Sequence, residues 1–413
     1  MIKKENIFTI YNLLIISLMV RFLFVFFYSD NTLENEWGII LHNFEVSGIF
    51  GLNVVVNEFI AIPNMAKAGD VVLPTVFMPP LYFYFIYILK FLTNDFFNLV
   101  NLVIFSQVII STVSIYVFYE ILHISEKNKF KTLFVSALFA FFPINIYAVS
   151  QISSITLQIF LIVLFLYFLL IFNLRNKIGF LFLFSIVSGF LILIRGEFLI
   201  FYLFTVLYFL VYLKKKYLKA VIALLVTFLI ISPYLLRNYQ IFDQFVLTKS
   251  FGYNLLKGNN PTKIVEGNAT FVENEYDVES LKIKTDVYYE INLDNFYKEK
   301  ALEFIKNEPL NYLKLYFLKF LSFLFFDINS TYPNYFNFFH IFPKLLISIA
   351  SFFGGIMSIN KKGFFQFLAI YYFLNAILFS AFFILPRYSL IYLPVQLLIS
   401  IEFFKYLRRK LIN

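Results

Sequence analysis

Ser153-Ser154-Ile-Thr-Leu-Gln-Ile-Phe-Leu-Ile-Val-Leu-Phe-Leu-Tyr-Phe-Leu-Leu-Ile-Phe172 is a run of 20 residues with no charged side chain. At 1.5 Å per residue, about 20 residues is what an α-helix needs to cross the hydrocarbon core of a bilayer. The apolar residues are continuous rather than alternating, which selects a helix over a strand of a β-barrel. Arg175 and Lys177 follow directly.

The same arrangement recurs at 8–28, 99–122, 132–149, 179–194, 197–213, 219–236, 341–358, 364–385 and 389–405. Composition agrees: 61% of the 413 residues are hydrophobic and 14% charged, against about half and one quarter in a soluble domain. No water-soluble core hides that much apolar surface, and only helices or closed barrels span lipid. The expected fold class is therefore all-α, a polytopic transmembrane protein of ten spans. The first span follows Lys3 and Lys4 as a signal peptide would, but its apolar run is too long and no Ala-x-Ala site follows. It reads as a retained helix.

Basic loops mark the cytoplasmic side of a membrane. Lys3–Lys4, Lys127–Lys129–Lys131, Arg175–Lys177, Lys214–Lys215–Lys216, Lys361–Lys362 and Arg408–Arg409–Lys410 all fall inside when the N-terminus is inside and the spans number ten. That topology requires 79–93 and 311–326 to lie at the outer surface, as interfacial or re-entrant helices. If both cross, the count is twelve and several basic loops face outward. The chain then divides into an N-terminal membrane region, 1–236, holding a first outer loop at 29–98; a polar outer loop, 237–310, expected as a small helical cap with its best helix at 286–308; and a C-terminal membrane region, 311–413. The expected location is a cell (inner) membrane, with both termini cytoplasmic.

There are no cysteines, so disulfides and thiolate metal sites are excluded, and His42, His123 and His340 are too scattered for a zinc site. No cofactor or divalent metal is expected. The net charge of +9 sits between apolar runs and orients the chain in the bilayer; it forms no nucleic-acid groove.

The polar residues with chemical potential gather on the outer side of this topology. The first loop reads Asp30-Asn-Thr-Leu-Glu34-Asn-Glu36-Trp37, and Trp37, Ile40, Leu41 and Phe44 repeat at helical spacing up to Gly48. This predicts an amphipathic helix with acids at its start, where the helix dipole favours the carboxylate anion. Those acids either cap the helix or supply a base. Pro79-Pro80 opens a helix at Leu81-Tyr82 and is explained by that alone. Arg195-Gly196-Glu197 joins two spans as a salt bridge or as a functional charge at the membrane. Arg237-Asn238, Gly258-Asn259-Asn260-Pro261 and Pro386-Arg387-Tyr388 stand at outer mouths. Each arginine is either a snorkelling anchor or a phosphate ligand, for which the guanidinium fork is suited.

Four stretches, "PTVFMPPLY", "LLRNYQIFDQFV", "GYNLLKGNNP" and "PRYSLIYLP", together with the acid-plus-aromatic helix start, resemble the lipid-dependent glycosyltransferases of the C-type fold. The likeness runs over 8–405 and is nearest to glycosyltransferase family 39, the protein O-mannosyltransferases and the aminoarabinose transferases of lipid A. It implies a polyprenyl-phosphate sugar donor, an outer-face active site and a carboxylate base in the first outer loop. That base falls on Glu36 or Glu34, with Asp30 third; the spacing Glu-Asn-Glu-Trp leaves the choice open. The departing lipid phosphate would meet Arg237, Arg387, Arg195 and Lys319, with Asn238, Asn259, Asn260, Tyr388, Pro79 and Pro80 lining the site. The acceptor, whether lipid, glycan or protein, is left open. Relatives often carry a second acid after the fourth segment; here Tyr147-Ala-Val-Ser150-Gln151-Ile-Ser153-Ser154 has none, which argues against a two-carboxylate or metal-dependent mechanism. Two other classes compete: a flippase of lipid-linked saccharides, and a polysaccharide polymerase or ligase.

Overall fold

The computed structural model describes residues 4–30, 32–33, 36–54, 71–93, 96–126, 128–212, 217–280, 282–332 and 335–412. The chain opens with α1 (Lys4–Tyr28) and α2 (Glu36–Ser47). A two-stranded antiparallel hairpin follows, β1 (Gly51–Val54) with β2 (Val71–Pro74), pairing Gly51 with Pro74 and Val54 with Val71. Next come α3 (Pro80–Lys90), α4 (Phe96–Ser125), α5 (Lys129–Ala140), α6 (Pro143–Ser150), α7 (Ile155–Arg175), α8 (Ile178–Ile194), α9 (Phe198–Tyr212) and α10 (Tyr217–Phe242). Four short or medium helices make the polar cap: α11 (Phe251–Gly258), α12 (Ala269–Glu275), α13 (Asp277–Ser280) and α14 (Tyr289–Asn307). The chain closes with α15 (Pro309–Leu324), α16 (Phe338–Ile359), α17 (Phe364–Ser380), α18 (Pro386–Leu390) and α19 (Leu393–Ile412).

Among the described residues five helices are long and apolar enough to cross a bilayer: α1, α4, α7, α10 and α16. The pair α5–α6 counts as a sixth, bent by 45° where Pro143 takes the first position of α6. Helices α8, α9 and α17 are shorter apolar helices, and α19 carries charges in its last turns. The protein is thus a multi-pass helical bundle. Outward-facing Met19, Phe26, Phe130, Phe228 and Leu229 are exposed apolar side chains of the kind lipid tails solvate.

Contacts between helix ends fix two ends of the bundle. At one, Lys405 pairs with Glu126 and Glu402, Lys361 with Glu402, Lys219 Nζ donates to Asn176, and Tyr208 OH donates to Gly363 O. At the other, Asp30 meets Ser150 and Ile152, and Arg237 meets Phe50 and Thr75. Traced through these contacts, α1, α4, α5–α6, α7, α8, α9, α10, α16, α17 and α19 alternate between the ends. These are the ten segments expected from the sequence. The two doubtful segments are the helices α3, with 11 residues, and α15, with 16; length alone does not set α15 apart, because α9 has 15.

The first outer loop departs from the all-helical expectation through its hairpin. Val71 and Val72 are β-branched, of the sort a pleated strand accommodates. The amphipathic helix is present as α2. Its apolar face packs on α3, with Trp37 edge-on to Tyr82 at 5.2 Å and Phe44 to Phe83 at 5.3 Å. The expected 286–308 helix is α14. The boundary set at 237 falls inside a helix, because α10 continues to Phe242.

Aromatic rings fill the bundle between α9, α15, α17 and α19. Phe379 stacks with Phe201 at 6.1 Å and with Phe323 at 5.9 Å, and Tyr371 and Tyr392 close the group. Helices α16 and α19 approach closely at Gly354, where a Cβ would stand 2.2 Å from the Ile399 carbonyl oxygen.

Candidate functional site at the capped end of the bundle

Two groups of polar residues share the end that carries α2, the hairpin and the cap. The first is acidic. Asp30 leaves α1, its amide donating to Ser150 O (2.9 Å) while its Oδ2 accepts from the Ile152 amide (2.8 Å). Gln107 on α4 holds the same turn, donating from Nε2 to the carbonyls of Val149 (3.0 Å) and Gln151 (2.9 Å) and accepting from Tyr82 OH (2.9 Å). Burial holds the Tyr82 phenol well above its ordinary pKa, and the nearby carboxylates of Asp30 and Glu36 add to that. Both acids therefore face one buried tyrosine. Glu36 is half-buried in the first turn of α2. Its carboxylate makes no hydrogen bond among the described residues. Glu34 lies outside the described residues.

The second group is cationic and surrounds 381–390, the stretch from the end of α17 through α18. Lys319 on α15 is fully buried and donates to Asn259 Oδ1 (2.8 Å), while Asn259 Nδ2 donates to Leu255 O and Ala381 O (both 2.8 Å). Arg195 lies over the Tyr388 ring at 4.4 Å and over Phe379 at 5.4 Å, with Glu197 as an ion-pair partner 3.5 Å away. Arg387 is exposed on α18. Lys257 stands over the Phe383 ring at 4.7 Å. Burial, and then the Arg387 guanidinium, hold the Lys257 ammonium below the ordinary lysine range, so two cations are neighbours here. Lys344 on α16 is buried and donates to Ser389 Oγ.

The motif Gly258-Asn259-Asn260 docks the cap onto this stretch. A Cβ at 258 would lie 2.1 Å from Phe382 O, so glycine alone permits the approach. Asn260 terminates α11, donating to Leu256 O (3.0 Å) and Lys257 O (2.9 Å) and accepting from the Thr262 amide (3.0 Å).

Arg237 belongs to neither group and is engaged with the protein itself. Its Nη1 donates to Thr75 O and Asn238 Oδ1 (both 2.8 Å), its Nη2 to Phe50 O (2.9 Å), and it sits over the Phe50 ring at 5.3 Å. Asn238 in turn donates to Val246 O (2.7 Å). Glu290 on α14 completes the junction: its Oε2 accepts from Val76 N (2.7 Å), Phe77 N (3.0 Å) and Thr75 Oγ1 (3.0 Å). Burial lifts the Glu290 carboxyl to about 7 against those hydrogen bonds. Pro79 and Pro80 start α3 immediately after, as its N-cap and first residue.

The structure therefore brings Arg195, Arg387, Tyr388, Lys319, Asn259 and Asn260 around one stretch, gathers Asp30 and Glu36 around another, and sets Arg237 and Asn238 in a junction. The sequence reading missed Tyr82, Gln107, Lys257, Glu290 and Lys344. Lys344 carried a signal, a charge inside an apolar span; so did Gln107, a polar residue in another. Among the described residues no three His, Asp or Glu side chains gather as metal ligands. Compared with known proteins, the chain matches no family model and no curated sequence.

Proposed function

We propose that the protein is a membrane glycosyltransferase. It would move a sugar from a polyprenyl-phosphate donor to an acceptor at the outer face of a cell membrane. One observation carries this reading: carboxylates and cations gather in separate groups at the same end of an apolar bundle. A lipid-phosphate sugar has its tail in the bilayer and its head at the surface, so its enzyme needs that pairing. Glu36 is the proposed base, because it starts a helix and keeps its carboxylate free of hydrogen bonds among the described residues. It takes the proton from the acceptor hydroxyl or amine, whose lone pair attacks the anomeric carbon. The bond from that carbon to the phosphate oxygen breaks, its electron pair stays on the polyprenyl phosphate, and the configuration inverts. Arg387, Arg195 and Lys319 stabilise the charge that develops on the phosphate. Arg237 holds the first outer loop against the end of α10 and so positions the base. The cap covers the site and selects the acceptor.

Buried charges within the passes favour a second reading. Arg21 on α1 is fully buried, bonded to Ser111 Oγ (2.9 Å) and Ser17, and Lys344 is buried on α16. Charges inside a membrane suit a transporter of lipid-linked saccharides. Purified protein in lipid vesicles with radiolabelled polyprenyl-phosphate sugars separates the two. Transfer of label from the lipid to an added membrane or cell-wall extract supports the transferase. Label that changes leaflet and stays on the polyprenyl phosphate overturns it in favour of the flippase.

A further inference from the structure

Lys257 is a cation of the cap that the proposed transfer leaves unused, and its side chain is held in place. Its stem runs against Gly267, where a Cβ would stand 2.9 Å from Lys257 Cγ. Its carbonyl accepts from the Asn268 amide (2.9 Å) and from Asn260 Nδ2 (2.9 Å). Its ammonium stands over Phe383, whose ring lies 5.6 Å from that of Tyr388. Arg195 covers Tyr388 in turn, and Arg387 precedes Tyr388 in the chain. One pair of rings thus gathers cations from the cap, from the turn between α8 and α9, and from α18. Arg195 has its carboxylate in Glu197. Lys257 and Arg387 have none within ion-pair distance among the described residues. Burial and then Arg387 work against the Lys257 charge, each more than Glu273 supports it. Two like charges held side by side repel unless an anion lies between them. Lys257 is half-buried and Arg387 exposed, so a ligand reaches both.

We propose that the seam between cap and bundle selects a phosphate monoester, the polyprenyl phosphate that the transfer releases, with Lys257 as the second cation beside Arg387. Sugar transfer changes the charge of that phosphate. In the donor it is a diester with a single negative charge. Once the bond to the sugar breaks it is a monoester carrying about 1.5 to 2. Arg387 alone matches the first state, and a second cation matches the other. Arginine contributes the planar fork and lysine a point charge. A contact that strengthens as charge develops raises turnover, whereas one made equally before and after only tightens binding. Lys257 therefore acts on the leaving phosphate more than on the bound donor. The phosphate also ties the cap to the bundle for as long as it stays. The identity of the lipid rests on the glycosyltransferase reading; the two-cation site does not.

The test uses the full chain in detergent, titrated with undecaprenyl phosphate and with its methyl ester, a diester on the same tail. Inorganic phosphate serves as the anion without a tail. Melting temperature and bound-lipid occupancy by native mass spectrometry are read together. The wild type is expected to bind the monoester about tenfold or more tightly than the methyl ester. Lys257→Met should melt at or above the wild-type temperature without ligand, because a like-charged neighbour is gone. It should lose most of the preference for the monoester, with little change toward the methyl ester. Lys257→Arg should keep the preference, and Lys306→Met, at an exposed cation on α14, should bind as wild type. Equal affinity of the wild type for the two esters, or an undiminished preference in folded Lys257→Met, overturns the proposal and leaves the transferase reading standing on Arg387 and Arg195. If Lys257→Met does not fold, an undiminished preference in Arg387→Gln, altered at an exposed position, overturns it too. Inorganic phosphate binding as tightly as undecaprenyl phosphate overturns the lipid assignment in favour of a soluble anion. A preference that depends on Lys257 with no sugar transfer from any polyprenyl-phosphate donor supports this inference and defeats the transferase instead.

Discussion

Glu36 and Arg237 make opposite demands on their surroundings, and one substitution at each tests the proposed division of labour. A base must keep its lone pair for the acceptor, and Glu36 makes no competing hydrogen bond among the described residues. Glu36→Gln preserves shape and removes basicity, so turnover should fall by roughly 10² to 10⁴ while donor binding stays within twofold or so. Full activity in this variant together with loss in Asp30→Asn would move the base to Asp30. Arg237 instead donates to two backbone carbonyls of the first outer loop, Phe50 O and Thr75 O. Lysine keeps the charge and loses the fork. Arg237→Lys should therefore lower stability by about 1–3 kcal/mol, the equivalent of two hydrogen bonds. Its residual activity should follow the folded fraction, with an unchanged affinity for the donor; a selective loss of donor affinity at full stability would return Arg237 to the phosphate. The motifs around Arg237, Asn259 and Arg387 were visible in the sequence because charges and amides stand out against apolar runs. Which arginine binds the fold and which is left for a ligand was not, because that depends on carbonyls 187 and 162 residues away.

The junction between the hairpin, α10 and α14 is the element on which the proposed site depends. Glu290 gathers the amides of Val76 and Phe77 and the Thr75 hydroxyl, and burial lifts its carboxyl from an ordinary 4.5 to about 7. The folded state thus holds that proton more tightly than the unfolded chain. The contribution is complete below about 4.5 and disappears as pH rises through about 7. Glu290→Gln imitates the protonated form and cannot titrate. The wild-type melting temperature is therefore expected to fall relative to that of Glu290→Gln between pH 5 and pH 8. A wild type that gains on the variant over that range would show that the charged form is the one the junction prefers. No sequence pattern announced this element. Glu290 sits among the many acids of a polar loop, and the hairpin it anchors begins in a stretch read only as a connection. By contrast α2 and α14 were legible, because each repeats apolar residues at helical spacing and buries that face.

Across the whole molecule the sequence carried the fold well, because in lipid a continuous apolar run can become little else than a helix. All ten expected segments are helical and alternate between two ends, and among the described residues five of them, or six with the bent pair α5–α6, are long and apolar enough to cross a bilayer. Which end faces outward remains a proposal from the basic loops, and labelling tests it. In this cysteine-free chain, a single cysteine at Asn274 in the cap should react with a membrane-impermeant reagent on intact cells, and one at Lys177 should react only after permeabilisation. The reverse pattern would invert the molecule and remove the outer-face site. The ion pairs at the opposite end also bear on when the protein is finished. Lys405, in the last helix, pairs with Glu126, 279 residues earlier in the chain. At about 5–20 residues per second of synthesis, Glu126 is made roughly 15 to 55 seconds before its partner exists. Throughout that interval the passes already made must hold without the helix that closes the bundle, and a chain released before residue 405 leaves an unfinished protein with a carboxylate still waiting for its lysine.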